Sequence, residues 1–260
     1  MSVYGAYAKF SIKDELKHFF TDAFWNGGLG ALYVSIIFGL YVASGKSSFF
    51  GAYELDTIAW YLIAAQLVIM TKVHLAVALS DEIQEGNILL KLNKPYHFPL
   101  ALFGEHCGRM LVTTISGILW LVPLGFLLTD KVSITLSGVV AFLCLLLLAG
   151  VLDFVISLCI GLIAFWTESS RPYVWIYHKL LFILGGLFFP LALYPEFLQR
   201  IALALPPAFT VFYPAQTLVA FSWSTFLHAV LGVLAYTVAI GVLAWWLYGR
   251  AVRKVSINGG

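Results

Sequence analysis

The chain has 260 residues, of which 61% are hydrophobic, 16% aromatic and 11% charged, with a net charge of +2. A soluble domain carries about 25% charged residues and cannot bury so much apolar surface, and so small a positive balance excludes a nucleic-acid partner. Cys107, Cys144 and Cys159 lie far apart in or beside apolar segments, with neither metal spacing nor a disulfide framework. The composition is that of an all-α integral membrane protein.

In chain order, residues 1–22 come first. Tyr4, Tyr7, Phe10 and Phe20, and Phe24 just beyond, interleave with Lys9, Lys13 and Lys17. That pattern predicts a helix lying in the membrane interface rather than a signal peptide. A hydrocarbon core about 30 Å thick takes roughly 20 apolar residues per helix. Charges therefore divide the chain into six predicted spans at 23–45, 57–79, 106–129, 132–167, 174–195 and 226–248. The fourth would be about 54 Å long at 1.5 Å per residue, so it must tilt or project into the cytoplasm, ending near Phe165-Trp166. Residues 196–221 carry Pro206, Pro207 and Pro214. They read as a broken, partly embedded outer re-entrant element whose backbone protein must cover. Trp245, Trp246 and Tyr248 close the last span as an interfacial belt.

Orientation follows from the positive-inside bias. With six spans and both termini cytoplasmic, twelve of the fifteen Lys and Arg face inward, Lys72, Arg109, Arg171 and Lys179 among them. Only Lys46, Lys131 and Arg200 face outward. A hairpin at Asp153, or a full span over 201–221, would reverse several of these charges. The expected place is the cell membrane, plasma or inner, as a multi-pass protein in lipid.

Catalytic chemistry is sparse. Ser44-Gly45-Lys46-Ser47 comes near a phosphate loop, but that motif needs glycine at position 40, which is Leu40; Gly39 is one residue off. The chain is expected to hold no nucleotide of its own. His74, His97, His106, His178 and His228 are scattered, and Glu105-His106-Cys107 has no second cluster at ligand spacing. No nucleophile elbow or catalytic set is present, so neither a catalytic residue nor a metal is expected. Asp153, inside the fourth span, is the candidate intramembrane polar site; the other reading pairs it with a neighbour near the cytoplasmic end.

The richest stretch runs from Ser80 to Arg109. Ser80–Gly86 reads as a helix ending at Gly86, and Asn87–Leu92 as an apolar run stopped by Lys94 and Pro95. Ile83, Ile88, Leu89, Leu90 and Leu92 have no domain to bury them, so the knob is expected to dock on a soluble partner, or else to lie on lipid.

These residues carry a resemblance. Asp81-Glu82-Ile83-Gln84-Glu85-Gly86-Asn87-Ile88, with Leu92-Asn93-Lys94-Pro95, resembles the first cytoplasmic loop of ABC-2-type exporter permeases, closest to a six-span bacterial branch. Phe165-Trp166, Gly185-Gly186-Leu187-Phe188-Phe189-Pro190-Leu191 with Tyr194-Pro195, and Leu205-Pro206-Pro207 with Tyr213-Pro214 follow in matching order over nearly the whole chain.

The resemblance implies a permease that pairs with a second copy or a sister permease. Two cytosolic ABC ATPase subunits, carrying the ATP and Mg that this chain lacks, would grip residues 80–95 as a coupling helix. The implied coupling residues are Asp81, Glu82, Ile83, Glu85, Gly86, Ile88, Leu89, Leu92, Lys94 and Pro95. The implied exit gate holds Pro190, Tyr194, Pro195, Pro206, Pro207 and Pro214. Family members often carry Arg where Lys94 stands; Lys keeps the charge without the bidentate fork. A chain with one intramembrane carboxylate and no inverted repeat is poorly equipped for ion coupling, which supports an external motor. The alternatives are an ion-driven secondary transporter working through Asp153 and, further off, a membrane enzyme acting on lipids. The sequence leaves the cargo open.

Overall fold

A computed structural model of the chain describes residues 3–22, 27–43, 54–72, 75–130 and 134–258. The Ser44–Ser47 segment, His74, Phe24, Lys131 and the loop boundaries beside them lie outside the described residues. The elements are α1 (Val3–Asp22), α2 (Gly28–Ala43), α3 (Leu55–Met70), α4 (Leu75–Gln84), α5 (Ile88–Leu92), α6 (Phe98–Leu128), α7 (Leu136–Thr167), α8 (Arg171–Leu184), α9 (Glu196–Ala204), α10 (Tyr213–Val219) and α11 (Trp223–Asn258). A one-turn π-helix, Ala208–Phe212, leads into α10. No strand occurs among the described residues, and the all-α membrane class stands.

Each long helix is apolar with outward rows at helical spacing. Leu32, Ile36 and Leu40 on α2, Leu111, Ile115 and Leu119 on α6, and Leu227, Leu231, Val238 and Val242 on α11 are all exposed. Rows of this kind would aggregate a soluble protein and are at ease against lipid. Among the described residues, four helical stretches are long and apolar enough to cross a bilayer: Leu55–Gln84, Phe98–Leu128, Leu136–Thr167 and Trp223–Lys254. Glu196–Ala204 and Ala208–Val219 form a pair bent by 80° that adds a fifth if taken as one span.

Three span boundaries differ from the sequence reading. The third helix starts at Phe98 rather than 106, because Pro99 fits the first turn and Phe98, Ala101 and Leu102 are buried. The second continues beyond 79 as α4 to Gln84. The fifth covers 14 residues, about 21 Å, instead of 174–195. It stops at Leu184 because the chain turns at Gly185-Gly186, where Tyr61 donates a 2.7 Å hydrogen bond to the Gly186 carbonyl.

α7 is the axis of the bundle. Thr135 caps it by accepting from the Gly138 N–H at 3.1 Å, and it ends where Glu168 turns to a φ of 66°. α4, α10 and α11 pack along it. One core, towards the far end, gathers Tyr61, Leu62, Leu121, Leu145, Leu152, Leu187 and Phe209. The other, at the basal end that carries α1, α5 and the last turns of α11, gathers Leu79, Ile88, Phe98, Leu102, Phe154 and Leu162.

α1 is seated on α6 through a small-residue notch. A Cβ at Gly104 would stand 2.7 Å from the Tyr4 carbonyl oxygen, and one at Gly108 would stand 2.6 Å from that of Ala8. The four-residue spacing puts both on one face and lets the backbones touch, as in membrane helix pairs. Around the notch, Ser11 Oγ donates to the Glu105 carbonyl at 3.0 Å and the Tyr7 and Tyr96 hydroxyls meet at 2.8 Å. Burial and the Tyr7 hydrogen bond push the Tyr96 phenol up to about 12, so this contact stays protonated across the physiological range.

Replacing Gly108 by Ala is expected to unseat α1 at a cost of about 1–3 kcal/mol, read as faster amide exchange over residues 4–19. Unchanged exchange would show that the notch does not hold the helix.

Candidate functional site

Near the middle of the bundle lies the end of α3. α3 closes at Met70, with the Thr71 and Lys72 N–H groups donating back to Leu67 and Ile69 carbonyls at 3.2 and 3.1 Å. Lys72, just past that closure, reaches Asp153 on α7, Nζ to Oδ1 2.6 Å. Tyr177 on α8 donates its hydroxyl to the same oxygen at 2.8 Å. The side chains of Lys72 and Asp153 are 10% and 3% exposed. Two charges taken so far from water hold their places only because each satisfies the other and the phenol adds a donor.

Asp153 lies 17 residues into α7, about 25 Å from its start. It is thus a paired carboxylate in the basal half of an overlong helix. Lys72, counted among the inward-facing charges from sequence, is buried against Asp153. Neither Lys72 nor Tyr177 was singled out by sequence reasoning. The available signal was a lone lysine within the largely apolar run Thr57–Leu79, and a lone aspartate within another.

The basal knob is built from α4, the turn at Glu85-Gly86-Asn87, and α5. Gly86 has a φ of 74°, the left-handed conformation that closes a helix, and its N–H donates to the Ile83 carbonyl at 3.2 Å. The knob is bolted to the start of α8. Ser170 donates its hydroxyl to the Ala76 carbonyl at 2.8 Å and its N–H to Ser80 Oγ at 3.0 Å. Arg171 meets both carboxylate oxygens of Asp81 at 3.0 and 3.3 Å, and Gln84 donates to the Glu168 carbonyl at 2.5 Å.

Of the apolar residues expected to await a partner, Ile88 is 3% exposed, and Ile83 and Leu92 pack against the same basal core. The chain's own α4, α6, α7 and α11 bury them. Leu89 and Leu90 remain open, at 43% and 69%. Asp81 and Glu82 are held by Arg171 and Lys91, whereas Glu85, Lys94 and Pro95 are exposed.

At the far end, Pro190, Pro207 and Pro214 are buried, Tyr194 and Pro206 are half-buried, and Pro195 is exposed at the start of α9. Tyr194 donates to the Ile183 carbonyl at 2.8 Å, Tyr236 to that of Ala204. Every residue of Ala208–Phe212 is buried, so protein covers the backbone bent at Leu205–Pro207. His106, on α6, is hydrogen-bonded through Nε2 to the Gly150 carbonyl at 3.1 Å and acts as a packed polar residue.

A bundle of apolar helices, a bolted basal knob and a bent, buried helix pair are thus on one chain. A profile of the ABC-2 family transporter proteins matches residues 31–259. The chain belongs to that family. It is a transmembrane permease of ABC-type transport. The matched stretch begins within α2 and leaves α1 outside it. Comparison with curated proteins gave no match.

Asp153→Asn strands the Lys72 ammonium in the permease and is expected to lower stability by about 3–5 kcal/mol, measured as a drop in melting temperature. The double change Lys72→Met with Asp153→Leu should recover most of that loss. A double variant no better than the single would show that the pair is not what makes the substitution costly.

Proposed function

We propose that this permease is the membrane subunit of an ATP-binding-cassette exporter, with six spans and both termini cytoplasmic. It dimerises with a second copy or a sister permease and is driven by separate cytosolic ATPase subunits that bind the ATP and Mg. Residues 80–95 are the coupling element. The observation that carries this reading is the knob itself: Leu89 and Leu90 project from a short helix whose base is locked to α8 by Ser170 and Arg171. A partner closing on those two leucines, with Glu85 and Lys94 at the rim, would push on α4 and α8 together. Asp81, Glu82, Ile83, Ile88 and Leu92 shape and support the knob, and Gly86 sets its turn. The bent segment between Pro190 and Pro214 is the exit gate on the outer face.

The ion-driven alternative is weaker. Asp153 already has a lysine and a tyrosine on one oxygen, so the carboxylate is neutralised from within the protein.

Leu89→Asp and Leu90→Asp are expected to reduce capture of the co-expressed ATPase at least tenfold while changing permease stability by no more than about 0.5 kcal/mol, as for surface substitutions. Gly86→Pro, which cannot take the observed φ, should do the same by misdirecting α5. Capture and ATP hydrolysis both unaffected by all three would end the coupling assignment.

A further inference from the structure

A cavity of about 500 Å³ opens beside the buried ion pair, walled by α1, α2, α3, α6, α7 and α8 of one chain. That volume lies within the range that holds drug-sized ligands. Its lining combines two chemistries. It holds Lys72 with Asp153, and Arg109 with Glu15 at 3.4 Å. It also holds three rings: Tyr33 and Phe182 flank Phe188, with centroids 5.9 and 5.3 Å from it. Thr113 and Ser157 complete the polar part of the lining.

We infer that this cavity is a binding site, complete within one permease copy, for a small amphipathic zwitterion with a ring-bearing apolar body. The lining charges fix the class. Among the described residues Lys72 and Arg109 bring cations to the lining and Asp153 and Glu15 bring anions, with Glu105 also on Arg109 at 3.0 Å, so the lining offers both signs to a ligand. A zwitterion can lie across Arg109 and Glu15, whose side chains are 35% and 21% exposed, and answer both signs. Its ring would stack in the offset or tilted geometry that Tyr33, Phe182 and Phe188 already adopt among themselves. That the ligand is cargo rests on the export reading above; that it binds does not.

The test is fluorescence titration of the full chain in phosphatidylcholine nanodiscs without any ATPase. The probe is Nε-dansyl-lysine, a zwitterion, compared with dansyl-glycine, an anion, and dansyl-cadaverine, a cation. Saturable binding of the zwitterion at one per chain, at least tenfold tighter than either comparator, is the expected result. Thr113→Trp fills the cavity and leaves every ionic group in place; it should weaken binding at least tenfold. Phe188→Ala, which removes the central ring, should weaken it severalfold and serves if the tryptophan variant does not fold. Unsaturable partition, equal affinity for the three probes, or saturable binding indifferent to the folded variant would overturn the assignment. Because no ATPase is present, a failure here is distinct from a failure of Leu89→Asp to disturb ATPase capture.

Discussion

An ammonium and a carboxylate 2.6 Å apart inside an apolar bundle constrain everything around them. Neither can be withdrawn from the other without exposing a full charge to a medium that cannot solvate it. The pair therefore fixes the spacing between the end of α3 and α7, and Tyr177 ties α8 to the same oxygen. Three elements meet at one atom.

The same three elements are joined again at the basal end. α4 runs from just beyond Lys72 to the knob, where Ser80 and Asp81 hold the start of α8. α8 then returns towards Asp153 through Tyr177. The result is a closed frame, with hydrogen-bonded corners at top and bottom and helices as its sides. A frame of this kind moves as a unit or changes at a corner, since packed helices do not deform continuously. The knob and the polar centre thus share a mechanical fate within this ABC-2 permease.

Much of this was legible from residue order. Charges are expelled from hydrocarbon so strongly that the apolar runs announced the helices, and Gly86 announced the end of α4. Helix ends set by packing were less visible. α6 begins eight residues early because Phe98 and Leu102 have a core to enter, a fact that lies in α7 and α11 and not in the local sequence. Ile88 looked like a docking residue for the same reason: the core it joins, which also holds Phe154 and Leu162, is assembled from remote parts of the chain. Lys72 entered the sequence reading only as a charge, because residue order carries no information about which charge will find a counter-charge. The six-span count rests on charge parity, while α2 and α8, at 16 and 14 residues, are shorter than a bilayer is thick. The proline-rich stretch showed that a helix must break, and the tertiary contacts decide what covers the break.

The seating of α1 bears on how the protein is made. Its notch on α6 lies far along the chain, with Ser11 and its carbonyl partner separated by 94 residues. At about 5–20 residues per second, ribosomes leave this helix without its seat for roughly 5–20 s. During that interval an aromatic and lysine-bearing segment is best accommodated flat on the bilayer surface. α1 thus leaves the ribosome well before the helix that seats it, and it is locked only once the intervening helices have been made.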